Sequence, residues 1–429
     1  VNEDFIHFIW KNSLFDQSAL KTVDGEELSI RKLGFHNMHA GPDFLDARIR
    51  IGKRTWAGHV EIHLKSSNWY EHNHQEDEAY ENVILHVVLE DDKPVSYLDG
   101  ALIPTLVIEE KIDWSYFDNY QQLLKSKAWI PCESTISWIK PIDWSSWITR
   151  LAVSRLERKT GKILLRLHRN KGDWAETLYQ LLAESFGLKV NGEAFLLLAE
   201  SLPLNIIRRH GDDLFQLEAM LLGQAGFLQK PSEDAYVNRL HNEYSFLASK
   251  FGLIPLNAAR VWKRFRMMPR NFPEIRISQF AALLFQAPNL IDELTSFESK
   301  AELYARFKVS ASEFWNRHYT LERESKESIK RLGESTVTGI CINTIAPFLF
   351  CLGRFKGDVE IEERAIGLLE DLDAEVNNIT KRWKGVGFTV QNALESQGSL
   401  ELKNEYCSNK KCLNCVLGTK MLKLQHEHD

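Results

Sequence analysis

From Trp56 to Lys65 the chain alternates: Trp56, Gly58, Val60, Ile62 and Leu64 are apolar or small, while His59, Glu61, His63 and Lys65 are polar. A period of two predicts a β-strand with one apolar face. The opposite face then carries the four polar residues side by side, about 7 Å apart. Upstream, Phe5, Ile6, Phe8, Ile9, Trp10 and Leu14 fall on one side of a short amphipathic helix. Residues 28–34 read as a first strand and 44–51 as a second, with Ala47, Ile49 and Ile51 on one face and Asp46, Arg48 and Arg50 on the other. Gly52-Lys53-Arg54 is a hairpin turn into the alternating strand. The stretch 66–80 is polar and turn-rich, with room for one short helix, and the unbroken apolar run 83–89 suits a strand covered on both faces. A further strand follows at 103–108.

Beyond Ile112 the period changes to that of helices, predicted at 114–127, 144–168, 173–186, 191–201, 212–225, 233–251 and 256–266, then at 277–286, 298–306, 310–316, 324–332, 336–352, 359–373 and 377–383. The expected fold class is α+β. An N-terminal α/β domain (1–131) precedes a helical domain with basic stripes (132–404) and a Cys-rich, metal-binding tail (405–429).

Apolar residues at 44% and charged residues at 26% are the proportions of an ordinary globular protein. No apolar run nears the ~20 residues that span a bilayer, and Val1-Asn2-Glu3-Asp4 offers no basic leader, so a cytoplasmic protein without membrane association is expected. The net charge of −6 is unevenly spread: residues 1–131 hold 13 basic against 22 acidic residues, and 132–429 hold 40 against 37.

An acid, two imidazoles and an ammonium on one strand face are costly to bury unless they bind something. Asp43 follows Gly41-Pro42 at a turn, and Glu61 sits on the neighbouring strand. Such a carboxylate pair suits Mg²⁺ or Mn²⁺, which takes oxygen ligands and activates water. Asp43 and Glu61 are the expected ligands, with His63 and Lys65 as catalytic candidates; the alternative is a turn-capping Asp43 and a Glu61 paired across the hairpin. His72-x-His74, with Asp77 nearby and His59 and His63 in reach, would instead bind Zn²⁺ or Mn²⁺. His86 reads as a satisfied core histidine.

Cys407-x4-Cys412-x2-Cys415 has the spacing of a Zn²⁺ or Fe–S site. Cys132, after a Pro-fixed bend, is the first choice for a fourth ligand, and His426 or His428 are alternatives. Cys341 and Cys351 read as buried hydrophobes. Two basic stretches could meet nucleic acid, DNA before RNA: Arg155, Arg158, Lys162, Arg166 and Arg169 on one helical face, and Lys263, Arg264, Arg266, Arg270 and Arg276 interleaved with Trp262, Phe265 and Phe272. The alternative for each is a solvated helix face.

The runs Gly34-Phe35-His36-Asn37, Gly41-Pro42-Asp43-Phe44, Gly58-His59-Val60-Glu61-Ile62-His63, Ser66-Ser67-Asn68-Trp69, His72-Asn73-His74, Leu85-His86-Val87-Val88, Trp129-Ile130-Pro131-Cys132, Arg270-Asn271-Phe272-Pro273 and Tyr406-Cys407 to Cys412-Leu413-Asn414-Cys415 resemble an uncharacterised bacterial family known only as a domain of unknown function. More distantly, Pro42-Asp43 with Glu61-x-His63 is similar to the PD-(D/E)xK nuclease superfamily. That likeness implies a restriction-endonuclease-like αβββαβ core with Asp43 and Glu61 as metal ligands. His63 stands where those enzymes usually have Lys, and Lys65 is a substitute. Some iron–sulfur nucleases of that superfamily join one early Cys to three late ones, which the cysteine order here resembles. The expected function is a metal-dependent nuclease; the alternatives are a zinc hydrolase using His63, His72 and His74, and a non-catalytic nucleic-acid-binding protein.

Overall fold

A computed structural model of the chain describes residues 1–37 and 39–428, with side chains through Leu424. It has two compact units, Val1–Trp144 with Lys403–Asp429, and Ser145–Leu402. The architecture is mixed α+β, with a sheet in the first unit and helices throughout the second. The Cys-rich tail, expected as a separate piece, belongs to the sheet-bearing unit.

In the first unit, helix α1 (Glu3–Lys11) starts at Asn2, whose side chain accepts the Phe5 amide, and it buries Phe5, Ile6, Phe8, Ile9 and Trp10. Strands β1 (Leu28–Lys32), β2 (Phe35–His36), β3 (Phe44–Ile51), β4 (Arg54–Lys65), β5 (Val83–Glu90) and β6 (Thr105–Val107) form one mixed sheet. The order is β1-β3-β4-β5-β6, with β2 also paired to β3. β1, β3 and β4 are antiparallel, whereas β4, β5 and β6 run parallel. The Gly52-Lys53 turn closes the β3–β4 hairpin with Ile51 opposite Arg54. A parallel neighbour needs a crossover, which residues 66–82 supply, carrying helix α2 (Asn68–Glu71). Helix α3 (Ser115–Lys125) follows the sheet.

The alternation predicted for β4 is present, but its polar face is not open to water. Val60, Glu61, Ile62 and His63 are all buried. Gly58 is there because nothing larger fits: a Cβ would lie 2.5 Å from both the Asn82 carbonyl oxygen and Ile84 Cγ2 on the β5 side. Lys65, expected beside Glu61 and His63, lies at the exposed end of β4 and pairs with Glu90 of β5 at 2.9 Å.

In the second unit, α4 (Pro141–Arg169), α5 (Trp174–Phe186) and α6 (Leu188–Ser201) lead a large apolar core. The helix expected at 256–266 shortens to Ala258–Val261, and 324–332 is not helical. There the Lys330 ammonium is satisfied by Ser325 and Ser328, and amides of Ala311 and Leu332 bond to Lys330 and Val309 carbonyls, which holds the segment extended. The helix expected at 336–352 runs from Glu334 to Lys356 through a π turn at Cys341–Ile345. Contrary to the sequence expectation, it is long and apolar enough to cross a membrane, but 78% of its most apolar window is buried inside the protein. Cys341 and Cys351 are buried apolar packing groups on this helix.

Candidate functional site

The candidate site gathers on β4 and on the segments that border it. Asn37 shapes the approach: its side chain donates to the carbonyls of Ala40 and Pro42, and its amide donates to the Asp43 carbonyl at 2.7 Å. Gly41 takes φ of +99°, which a side chain would strain, and the chain turns into Asp43 immediately before β3. Asp43 then bonds across the β3–β4 pair to Glu61 and to its neighbour Ile62. The Asp43 amide donates to Glu61 Oε2 at 3.1 Å, and the Ile62 amide donates to Asp43 Oδ2 at 3.0 Å.

The other oxygen of Glu61 faces imidazoles. Oε1 lies 3.3 Å from His74 Nε2 and 3.6 Å from His63 Nε2, and His63 Nε2 lies 3.2 Å from His72 Nδ1. His63, His72 and His74 each offer a ring nitrogen within 4.8 Å of the other two. His63 Nδ1 is taken by His86 Nε2 at 2.8 Å. The parallel register sets Glu61 opposite His86, so His86 meets His63 diagonally from the neighbouring strand. His86 is the buried core histidine the sequence suggests, but it is only half satisfied: its Nε2 meets His63 and orients that ring, whereas its Nδ1 is buried without a hydrogen bond.

The crossover supplies the other imidazoles. His72 follows α2 directly, and Asn73, with φ of +61°, redirects the chain so that His74 turns inward and stacks on Tyr80 with ring centroids 3.8 Å apart. Trp69 is buried against both His74 and His86. His74 Nε2 is buried without a hydrogen bond, and His72 remains exposed. The cluster is therefore closed on the sheet side and open to solvent at His72.

Burial dominates the electrostatics. It pushes His63 down to about 2, with His86, His74 and His72 adding to the effect, and it pushes His86 down to about 3. It lowers His74 as well, and it raises the Glu61 carboxyl, aided by the Asp43 carboxylate. Neutral imidazoles present lone pairs, which is the form that ligates a cation.

His7 is a residue the sequence does not single out. It projects from α1 and places Nε2 3.1 Å from Asp43 Oδ2. Burial is the largest single influence and would lower its pKa, but the Asp43 carboxylate, together with Asp4 and Glu3, outweighs it and the pKa is raised. His36 and Phe44 pack edge-on to its ring. In sequence His7 is one more position on an amphipathic helix.

The basic stretches are partly occupied by internal partners. Arg155 and Arg158 converge on the buried Glu401 carboxylate, at 3.2 and 2.6 Å, and Arg166 pairs with Glu184 at 2.8 Å. Arg264 bonds to the buried Glu274. Arg276 is buried, with its guanidinium bonded to Asn271, Gln279 and Thr336, so it is not presented to a partner. Lys162, Arg169, Lys263, Arg266 and Arg270 remain exposed. A cleft of 880 Å³ in the helical unit is lined by Arg155, Lys159, Lys162, Arg166 and Lys189, with Glu184 and Glu375 among its walls. Lys159 reaches Asn343 of the π turn at 3.2 Å, and burial with the neighbouring Arg155 lowers its ammonium to about 7.

No curated protein and no solved structure matches the chain. Residues 3–378 match a family described as a protein of unknown function, DUF2851, a span that contains every histidine and carboxylate of this cluster and ends before Cys407. The chain belongs to the DUF2851 family.

Proposed function

We propose that the protein is a metal-dependent hydrolase of nucleic-acid phosphodiesters, DNA before RNA, whose metal centre comprises Glu61, His63, His72 and His74. One observation carries the reading. Donors at about 2.0–2.1 Å from a tetrahedral ion stand about 3.3–3.4 Å from each other; His63 Nε2 lies 3.2 Å from His72 Nδ1, Glu61 Oε1 lies 3.3 Å from His74 Nε2 and 3.6 Å from His63 Nε2, and the three imidazoles offer nitrogens all within 4.8 Å of one another. The donor set is rich in nitrogen and suits Zn²⁺ or Mn²⁺ better than Mg²⁺, which prefers oxygen ligands and keeps its waters. His86 on the far nitrogen of His63 is the outer partner that a metal-bound histidine needs.

A bound cation of this kind lowers the pKa of water enough to supply a nucleophile near neutrality. Asp43 holds His7 toward the protonated form beside the cluster, where the imidazolium can contact a phosphate oxygen or protonate a leaving group. Lys65, engaged by Glu90, takes no part. The mixed sheet preceded by α1, with α2 in the β4–β5 crossover, and the Asp43–Glu61 contact on adjacent strands support the nuclease-like reading, and the basic cleft of the helical unit supports a polyanionic substrate. A cytoplasmic location is part of the same proposal.

A second reading has its own support: the acidic excess of residues 1–131 is unfavourable to a polyanion and favours a zinc-dependent hydrolase of a compact, uncharged or cationic substrate. The test is cleavage of single- and double-stranded DNA and RNA with Mn²⁺ or Zn²⁺ against EDTA, for wild type and Glu61→Gln. Metal-dependent cleavage lost in the variant supports the proposal. No cleavage of any of the four by folded, metal-loaded protein overturns the nuclease reading in favour of the second or of a non-catalytic binding protein.

A further inference from the structure

The four cysteines outside the helical core converge from distant parts of the sequence. Cys132 is buried in the turn after α3, Cys407 ends a π turn at Leu402–Cys407, Cys412 opens a short 3-10 turn, and Cys415 precedes the helix Val416–His428. Every one of the six pairings among these thiols is close enough for one to feel charge on the other. Among the described residues no disulfide joins any of them.

The tail is tied to the same place. Lys403 donates to the Trp129 carbonyl at 2.8 Å, and Lys410 donates to the carbonyls of Leu124 and Ser126. Gly418 lies so close to Cys412 that a Cβ would meet its carbonyl oxygen at 2.4 Å. Three buried thiols and the half-buried Cys407, held within electrostatic reach of one another, gain little from packing alone, whereas four thiolates around one thiophilic metal satisfy each other through it. Lys403 and Lys410 lie within electrostatic reach of Cys407 and Cys412, where their charge offsets that of the thiolates.

We propose that Cys132, Cys407, Cys412 and Cys415 form a single four-thiolate metal centre, zinc or iron–sulfur, that fastens the C-terminal segment to the turn after α3 and so seats α1. The link to α1 is short. The 3-10 turn at Cys412 packs against α1, and Tyr120 of α3 lies within reach of Cys412 and Asn2 while stacking on Phe5 with centroids 6.2 Å apart. Two positions after Phe5, His7 meets Asp43. The cysteine centre thus supports the helix that delivers His7, and its existence does not depend on the hydrolase reading, because its readouts are metal content and backbone protection.

The test uses the full chain purified without oxygen. Zinc, iron and sulfide are measured in wild type, in His72→Ala/His74→Ala to remove the histidine centre, and in that double variant with Cys132→Ser added. The centre predicts that the double variant keeps either about one zinc and no colour or iron with sulfide and a brown chromophore, and that Cys132→Ser removes it. A double variant with neither zinc nor iron overturns the proposal, as does full metal retention in Cys132→Ser. In case the serine variant does not fold, wild type is stripped with a strong chelator and followed by amide exchange. Loss of protection in 403–415 and in α1 together is expected; protection of α1 that does not change overturns its seating by the centre.

Discussion

His63 is held from both ends, by His86 on Nδ1 and by the Glu61, His72 and His74 donors around Nε2. Contacts at both nitrogens fix the orientation of its ring. His86→Gln keeps a polar group in the space but loses the fixed acceptor, and metal affinity is expected to fall ~10–100-fold with the fold retained. Competition titration with a chromogenic chelator measures it, and unchanged affinity would remove His86 from the site. Lys159 is the other single residue with a definite consequence. Its folded pKa, about 7, lies below the unfolded value of a lysine, so the unfolded chain binds more protons between the two and stability rises with pH across that window. Arg155, Arg158, Glu375 and Glu401 are the charges around it. Lys159→Met should be the more stable form near pH 6, by on the order of 2–4 °C in melting temperature, with its advantage shrinking toward pH 9. Thermal melts across that range decide it. At this scale the sequence is informative about residue type: Asp43, Glu61, His63, His72 and His74 stand out as unusual company. It is silent on His7, whose role exists only once α1 packs against β4. It also misleads on Lys65, because alternation fixes the side of a strand but not where burial stops.

At the scale of elements, the long strands were legible because each has an unambiguous period, alternation for β3 and β4 and continuous apolarity for β5, whereas the two-residue β2 is too short to show one. The helix Ala393–Glu401 was not, since Ala393, Leu394, Ser396, Gln397, Gly398, Ser399 and Glu401 are all buried and leave no polar face to set a period. The opposite failure at 324–332 has a helical spacing of apolar and charged residues, but its backbone bonds go to Val309 and Ala311. Among the strands, the contact between β4 and β5 is the one on which the site depends. Gly58→Ala would force its Cβ against Asn82 and Ile84, shift the register that sets Glu61 opposite His86, and cost about 1–3 kcal/mol. Denaturant unfolding together with metal content tests this. A variant as stable and as metal-loaded as wild type would show that the register is not held there.

For the whole molecule, charge is divided between the two units more than composition alone suggests. The acidic excess lies in the sheet-bearing part, and the helical unit presents the basic cleft. Sequence spacing predicts a stripe from Arg155 to Arg169, but packing spends several of its charges on Glu401 and Glu184. That outcome depends on acids 18 to 246 positions away, which no local pattern reveals. The exposed cations left for a polyanion in the cleft are Lys162 and Lys189. Lys162→Ala and Lys189→Ala should each weaken binding of a labelled oligonucleotide at low salt and reduce the slope of log affinity against log salt by about 1. Equal slopes for wild type and variants would place the nucleic-acid contact elsewhere.

The mixed pairing of β4 has a consequence in time. Its antiparallel edge to β3 is closed by a two-residue turn and can form quickly, whereas its parallel edge to β5 must wait for the crossover that carries His72 and His74. The donors of the candidate centre are therefore complete only when the slowest contact of the sheet is in place. A cation bound there would stabilise the native state without helping the rate-limiting encounter, so it should slow unfolding and leave the folding rate nearly unchanged. The sheet would then owe its persistence, rather than its formation, to the ion.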